Sequence, residues 1–257
     1  YIYKRQGWGK IGKIKDWDAQ KYMKGEVDTY YIGEDAISKE NLKEYLEKSK
    51  FSIASNGVLY RTDVVGCIPD ILNTWFSQRV EFRKLEKQYG DSGEKEKYAF
   101  YKKRQLVQKI LLNSLYGVLG LPAFRFYDVD NATAVTTTGQ TVIKSTADMA
   151  NIKYNKELGT PDADSNIYID TDSVFFSAAP LLNHRIPNWK DNDQDTIAGY
   201  VNDIAGEMQD YLNNFYDILG KKVFNIDKHR FEIKKEFVSK AGIWIAKKRY
   251  AQWIISD

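Results

Sequence analysis

Ile167-Tyr168-Ile169-Asp170-Thr171-Asp172-Ser173-Val174-Phe175-Phe176 decides how this chain is read. Two short apolar runs flank an acidic tip, and strand, tip, strand is the pattern of a β-hairpin. The tip presents two carboxylates two residues apart. Hard oxygen donors of that kind suit Mg²⁺, which takes one or two carboxylates and completes its shell with substrate phosphates. Taken alone, the tetrapeptide reads first as an ordinary turn, because Asp, Thr and Ser form turns without a metal. A calcium loop fails. Asp162, Asp164 and Asn166 have the opening spacing, but Ile167 stands where glycine is needed and Ser173 where the closing glutamate belongs. The metal reading therefore depends on whether the rest of the chain supplies phosphate binders.

The 257 residues, 43% hydrophobic and 28% charged, are those of a globular protein with core enough for one large domain or two smaller ones. No apolar run is long enough to span a bilayer and no signal peptide is evident, so no membrane partner is expected. The single cysteine, Cys67, cannot form an internal disulfide and fits a reducing compartment such as a cytoplasm. His184 and His229 lie far apart without cysteine partners, which argues against a zinc site. A net charge of +3 does not announce nucleic acid. The cations are clustered, however, at Lys102-Lys103-Arg104, Lys234-Lys235 and Lys247-Lys248-Arg249. Most such runs are solvated surface. The sequence starts at Tyr1 rather than Met and ends in Trp253-Ile254-Ile255-Ser256-Asp257, and it reads as a piece of something longer.

Along the chain, a short helix is expected at Lys39 to Lys48 after Ser38. Asn56-Gly57 between apolar runs predicts a hairpin with a type I′ turn. Helical segments are expected from Pro69 to about Tyr89 and from about Glu94 to Leu119, broken by Asp91-Ser92-Gly93: a helical hairpin. Phe124 to Tyr127 reads as a short aromatic strand or connector. Asn131 to about Leu158 reads as a helix starting at Asp128 or Asp130, weakened by its threonines and Gly139. A loop is expected around Pro180 to Asn192. From Asp195 to Leu219, Ile197, Val201, Ile204, Met208, Tyr211, Leu212, Phe215 and Leu219 fall on one face, a core stripe. Phe231 to Phe237 and Gly242 to Ile255 read as β-rich and paired.

The second long helix carries Lys109, Asn113 and Tyr116 at i, i+4 and i+7, on one face, followed by Gly117. A cation, an amide and an aromatic ring there can hold a triphosphate and stack on a base. Gly117 leaves room for another backbone or a base pair. By periodicity alone, a solvated lysine with two packing residues explains the same pattern. The first long helix offers Arg79 and Arg83 at i and i+4, two guanidiniums suited to a phosphate chain or to an exposed basic stripe paired with Glu81 or Glu86.

In that order and spacing, three stretches resemble motifs of family B DNA polymerases. Arg104-Gln-Leu-Val-Gln-Lys109-Ile-Leu-Leu-Asn113-Ser-Leu-Tyr116-Gly117 resembles their motif B. Tyr168-Ile-Asp170-Thr-Asp172-Ser173 resembles motif C. Lys247-Lys248-Arg249-Tyr250 resembles their minor-groove motif. Phe124-Arg-Phe-Tyr-Asp128 with Asn131-Ala-Thr-Ala, and Asn56-Gly57 ahead of the first helix, are similar to T-even-type phage replicative polymerases. The resemblance covers roughly residues 51 to 255. It implies an α+β fold: an antiparallel palm sheet backed by helices, with a helical-hairpin fingers subdomain. The implied domains are a palm segment over 1–68, fingers over 69–121 and a second palm segment over 122–257. Asp172 would be the main ligand of two Mg²⁺ ions, with Asp170 beside it and Mn²⁺ able to substitute. Arg79, Arg83 and Lys109 would grip the dNTP phosphates, Asn113 would help place them, and Tyr116 would pack against the nascent pair. Gly117, Lys247, Lys248, Arg249 and Tyr250 would meet the primer-template DNA, whose minor-groove acceptors are nearly sequence-independent. Glu232 is a weaker match to an acidic residue near the metals.

The chain also departs from the family. Motif A, an Asp followed by a Ser-Leu-Tyr-Pro-like stretch, is absent, and so are the exonuclease and thumb regions. Ile169 stands where motif C usually has glycine. The expectation is a truncated chain or a naturally split polymerase, in the host cytoplasm if phage-encoded. Its partners would be DNA, dNTP, a sliding clamp and a polypeptide or flanking region that supplies the missing parts. Two other readings compete. A catalytically incomplete DNA-binding module would have no need of paired carboxylates facing DNA, since they repel phosphate. A nucleotide cyclase would not need the Lys109 helix or the Lys247 cluster.

Overall fold

The computed structural model describes residues 9–256. The first eight residues of the expected palm segment 1–68, and the terminal Asp257, lie outside the described residues. The chain forms two compact units divided between Thr137 and Thr138.

The first unit contains β1 (Lys10–Lys13), α1 (Ala19–Lys24), β2 (Thr29–Ile32), β3 (Asp35–Ser38), α2 (Lys39–Ser49), β4 (Phe51–Ile53) and β5 (Val58–Arg61). The long helices α3 (Cys67–Asp91) and α4 (Lys95–Gly117) follow. Strands β1, β5 and β4 form an antiparallel sheet in that order, and β2 pairs with β3. Ser38 caps α2 by accepting from the Asn41 N–H at 3.3 Å. The Asn56-Gly57 hairpin exists, but its turn is not type I′. That type needs positive φ at both central residues, and of this pair only Gly57 is left-handed, at φ 85°. Gly57 N–H donates to the Ala54 carbonyl at 2.9 Å, and Ala54 N–H to the Val58 carbonyl at 2.9 Å. This is a three-residue loop with Gly57 as its bulge residue, one residue longer than a type I′ turn. The loop is drawn in by the residue just after β1: Ile14 N–H donates to the Gly57 carbonyl at 2.8 Å, and a Cβ on Gly57 would sit 2.5 Å from the Ile14 oxygen.

Helices α3 and α4 pack against each other through half-buried stripes at heptad spacing. Leu72, Trp75, Arg79, Phe82 and Tyr89 face Tyr101, Gln105, Gln108, Leu112 and Leu115. Tyr89 stacks on Tyr101 at 5.5 Å, Arg104 lies over the Phe82 ring, and Gln108 Nε2 donates to Gln78 Oε1 at 2.7 Å. Residues 124–127 form a turn-rich connector, not a strand. Helix α5 (Val129–Leu158) then begins with Asp128 accepting from the Asn131 N–H. Its threonines do not break it, because Thr136, Thr137 and Thr146 donate to carbonyls one turn back. Lys10 bridges Asp128 and Asp130 at 2.9 and 3.1 Å and ties β1 to the start of this helix.

The second unit continues α5 and adds β6 (Asn166–Asp170), β7 (Ser173–Phe176), α6 (Ala179–Arg185), α7 (Gln194–Lys222), β8 (Val238–Ala246) and β9 (Arg249–Ser256). Ala150 and Tyr154 of α5, Leu181 and Leu182 of α6, and Ile204, Met208 and Leu212 of α7 form its core, with Phe176 of β7 against it. Two expectations are corrected here. The predicted loop at Pro180 to Asn192 contains α6 and a 3₁₀ turn at Trp189–Asp191. Pro180 sits in the first helical turn, where a missing N–H costs nothing. Residues 231–237 form no strand. Side-chain amides of α7 take the place of a partner strand: Asn213 exchanges two hydrogen bonds with the Ile233 backbone, at 3.0 and 3.1 Å, and Gln209 accepts from Lys235 N–H at 2.9 Å. The fold is α+β, as expected, with the antiparallel strands of the described residues distributed over four small sheets. Among the described residues no helix is long and apolar enough to cross a membrane.

Candidate functional site

The hairpin β6–β7 forms because Ile169↔Val174 and Asp170↔Ser173 pair across a two-residue tip. Thr171 occupies the tip at φ 55°, an uncommon conformation for a β-branched residue. Asp172 N–H donates to the Asp170 carbonyl at 2.6 Å, and Ser173 Oγ donates to the same carbonyl at 3.1 Å. The two carboxylates differ in surroundings. Asp170 is shielded, its side chain 18% exposed; its Oδ1 accepts from Thr171 Oγ1 at 3.0 Å and lies 3.8 Å from Lys248 Nζ. Asp172 is exposed at the tip and borders a cavity of about 980 Å³ with β7, residues 232–242 and the inner face of α7. Every residue from Ser173 to Ala178 lines that cavity. Successive strand residues point to opposite faces, so the β7 stretch is met along its free edge.

The Lys247-Lys248 turn joins β8 to β9, closed by Ala246↔Arg249. It sits on the acidic hairpin: Lys248 N–H donates to the Tyr168 hydroxyl at 2.8 Å. Beneath it the Tyr168, Phe175, Trp244 and Tyr250 rings cluster with centroids 5.5–6.5 Å apart. Tyr250 is thus half committed to packing, while Lys247, Lys248 and Arg249 are exposed. The second unit therefore brings together Asp170, Asp172, Lys247, Lys248, Arg249 and Tyr250. The sequence reading quoted Tyr168 within the motif C stretch but gave it no role, and it did not name Trp244. Tyr168 could have been found by alternation, since it shares a strand face with Asp170.

In the first unit, Lys109, Asn113, Tyr116 and Gly117 are exposed along one face of α4, beside the stripe that meets α3. A Cβ on Gly117 would meet no described atom within 4 Å, so no described packing contact requires glycine there. Arg79 and Arg83 share a sequence pattern but not an environment. Arg79 is half-buried on the α4-facing stripe, its Nε shielded and without a hydrogen-bond partner among the described residues, while Arg83 is exposed. The other basic clusters are largely absorbed into structure. Lys102 donates to Tyr98 Oη, Arg104 covers Phe82 and Phe100, Lys234 pairs with Glu232, and Lys235 donates to Asn202.

Two carboxylates at one tip fit the hard-oxygen, low-count coordination of Mg²⁺. Among the described residues no three His, Cys, Asp or Glu side chains gather into a metal-holding group.

Residues 30–185 match the family model for DNA polymerase family B, a stretch that includes α3, α4 and the β6–β7 hairpin. The DNA-directed DNA polymerase of Enterobacteria phage T4 is 34% identical over 57% of this chain, and that of Escherichia phage RB69 is 31% identical over 57%. This chain spans 17% of the length of each. A solved family B DNA polymerase from the archaeon Pyrobaculum calidifontis is similar at TM-score 0.44 and 22% identity, covering 82% of this chain and 24% of that one.

Proposed function

The chain belongs to DNA polymerase family B, and from that premise we propose that it is the palm-and-fingers portion of a DNA-directed DNA polymerase. In this reading the activity is template-directed transfer of a nucleotide from dNTP to a primer 3′-OH. The observation that carries it is the seating of the Asp-Thr-Asp tip against the Lys247-Lys248 turn within one unit. A pair of carboxylates beside a duplex-binding turn repels phosphate unless it serves a cation that the reaction needs.

Asp172, with Asp170 beside it, would hold Mg²⁺, which when bound supplies charge stabilisation to the attacking and leaving oxygens of an in-line displacement. Mn²⁺ is the expected substitute. Lys109, Arg79 and Arg83 would hold the triphosphate, Asn113 would orient it, and Tyr116 with Gly117 would pack against the nascent pair. That work is positioning and electrostatic stabilisation. Lys109, Arg83 and Asn113 suit it because, among the described residues, their side chains make no hydrogen bond or ion pair. Lys247, Lys248, Arg249 and Tyr250 would hold the primer-end duplex.

A further carboxylate and the thumb would come from a polypeptide or region beyond these residues. Among the described residues the outer edges of the two-stranded sheets β6–β7 and β8–β9 are unpaired, and both sheets border the same cavity. That is room for an added strand. A host cytoplasm with a sliding clamp is the setting this reading implies.

The test is Mg²⁺-dependent extension of a labelled primer. The chain alone should give none. Grafted into the phage T4 relative in place of the matching segment, it should extend the primer. A well-folded graft that binds primer-template without extending it would leave only a DNA-binding module. Robust extension by the chain alone would overturn the incompleteness of the site.

A further inference from the structure

We propose that the outer half of the α3–α4 hairpin carries a second polyphosphate site, built from Lys102 with Lys87 and Lys95, one heptad farther out than Lys109 on the same helix face. The inference rests on the reading above that Lys109 and Arg83 hold the dNTP triphosphate.

The row follows from the helical repeat. Lys95, Lys102 and Lys109 stand seven residues apart on α4, so they share one face, and at 1.5 Å per residue they cover about 21 Å. Tyr98 lies on that face, one turn from both Lys95 and Lys102. Its ring meets α3 at Gly90, where a Cβ would sit 3.4 Å from it. One turn back along α3 from Gly90 comes Lys87, and one turn further Arg83. Gln78 meets Gln108 and Gly90 meets Tyr98. That register sets Arg83 between the levels of Lys109 and Lys102, and Lys87 beside Lys102.

Charge is sorted between the faces of the hairpin. All these cations are exposed. Arg83, Lys87, Lys95 and Lys109 make no hydrogen bond or ion pair among the described residues. Cations off the row are engaged internally: Lys97 pairs with Glu94 at 2.6 Å, and Arg104 lies over Phe82 and Phe100. Of the nearby carboxylates, Asp91 at the tip shares the face, Glu81 is turned to the far side of α3, and Glu86 is half-buried in the stripe against α4. Like charges one turn apart destabilise a helix, and an anion that compensates them accounts for the row.

Lys102 is also aimed. Its Nζ donates to the Tyr98 hydroxyl at 3.1 Å and lies 5.2 Å from the ring centroid. That hydrogen bond raises the lysine above its ordinary value. The Tyr98 ring is thereby engaged by Gly90 and Lys102, and Tyr89 stacks on Tyr101, so this face offers no open ring for a base to stack on. Phosphate recognition without base recognition suits a polyphosphate, either the tail of an incoming triphosphate or a departing pyrophosphate. A site in line with Lys109 raises the local concentration of that anion beside it.

The test titrates this chain, ¹⁵N-labelled and at low salt, with inorganic triphosphate and separately with pyrophosphate, and reads amide shifts along α4. Both probes should move residues 95–102 and residues 109–116 with separate affinities. Lys87→Met combined with Lys102→Met should weaken the outer site about tenfold, the scale of two exposed charge contacts, and change the inner one little. Lys109→Ala should do the reverse. Inner shifts without outer ones overturn the proposal and spare the triphosphate reading; outer shifts without inner ones do the opposite; shifts at neither overturn both. Lys84→Met combined with Lys103→Met removes the same charge off the row and should leave both sites intact. An equal loss of outer binding there would assign it to general positive charge and overturn the site. So would an oligothymidine that binds the outer half more tightly than triphosphate, since the face would then be a single-strand track. In the polymerase graft, a loss from Lys87→Met with Lys102→Met that appears only at dNTP well below KM places the incoming triphosphate at the outer site. Slower pyrophosphorolysis places the departing pyrophosphate there, and no change in either overturns its part in the reaction.

Discussion

Helices α4 and α7 are similar in length, 23 and 29 residues, yet they stand in opposite relations to the rest of the protein. Helix α7 buries seven residues, among them Ile204, Met208, Leu212 and Tyr216, in the core of the second unit. Helix α4 buries none. Its contacts are the half-buried stripe against α3, and Leu106, Val107 and Ile110 are each at least half exposed. A helix earns its place in a fold by packing an apolar face, and α4 packs only one narrow stripe. The side chains on its open face, Lys109, Asn113 and Tyr116, therefore answer to no internal packing demand. Periodicity accounts for most of α7, although Tyr216 is buried beside the predicted stripe; on α4 it leaves Lys109, Asn113 and Tyr116 exposed.

The comparison breaks most readily at Leu212. Leu212→Ala should cost about 2–5 kcal/mol of stability in the second unit, as expected for truncating a buried leucine. Ile110→Ala on α4 should stay within about 0.5 kcal/mol. Denaturant unfolding of both variants decides it, and equal losses would mean that α4 is packed after all. The tip of β6–β7 offers the functional counterpart. Asp172 is exposed, so Asp172→Ala should leave the melting temperature unchanged. In the complete polymerase it should lower single-turnover incorporation by a factor of about a hundred to a thousand, the usual effect of removing one transition-state electrostatic contact. Near-normal incorporation by that variant would remove the residue from the proposed site.

What could be read from sequence divides along the same line. The apolar spacing of α7 and the alternation around Asp170 are local, and both elements appear where their patterns place them. Residues 231–237 look like a strand for the same local reason, but their backbone bonds to Asn213 and Gln209, which α7 delivers from some twenty residues away. The turn at Asn56-Gly57 was legible as a hairpin but not in type, because the approach of Ile14 decides its shape. In the site, the residue types were legible. The differing environments of Arg79 and Arg83, and of Asp170 and Asp172, were not. Each depends on a neighbour distant in sequence: α4 for the arginines and the Lys248 turn for the aspartates.

Lys109 sharpens the functional half of the contrast. A charge-assisted contact to phosphate is worth about 1.5–3 kcal/mol. Lys109→Ala should therefore raise the KM for dNTP about tenfold to a hundredfold in the complete polymerase. Primer-template affinity should change little, because Lys109 itself is proposed to meet the triphosphate and not the duplex. Equal losses in both would argue that Lys109 contributes only general positive charge.

The smallest expected effect is one of pH, and it falls on opposite sides of neutrality in the two regions. In the second unit Arg185 chelates Glu157 at 2.5 and 2.8 Å and Glu207 at 3.0 and 2.8 Å. Hydrogen bonding to that guanidinium holds both carboxyls below their ordinary value. A carboxyl lowered on folding stabilises the native state above its unfolded value, here about 4.5, and the contribution is lost as pH falls through the lower, folded value. On the α3–α4 hairpin the shifted groups are lysines. Lys97 is raised by its hydrogen bond to Glu94 and Lys102 by its hydrogen bond to the Tyr98 hydroxyl. Their contribution is complete below the ordinary lysine value and is lost as pH rises through the folded one. Acid should therefore loosen α5 and α7 before it loosens α4. Hydrogen exchange read segment by segment from pH 7 to pH 3 should show protection falling first around Arg185, with the pH slope flattened in Arg185→Gln. Because Glu207 is half exposed, solvent screens its share of the effect, and a slope that Arg185→Gln leaves untouched would assign the acid sensitivity to other carboxylates of the unit.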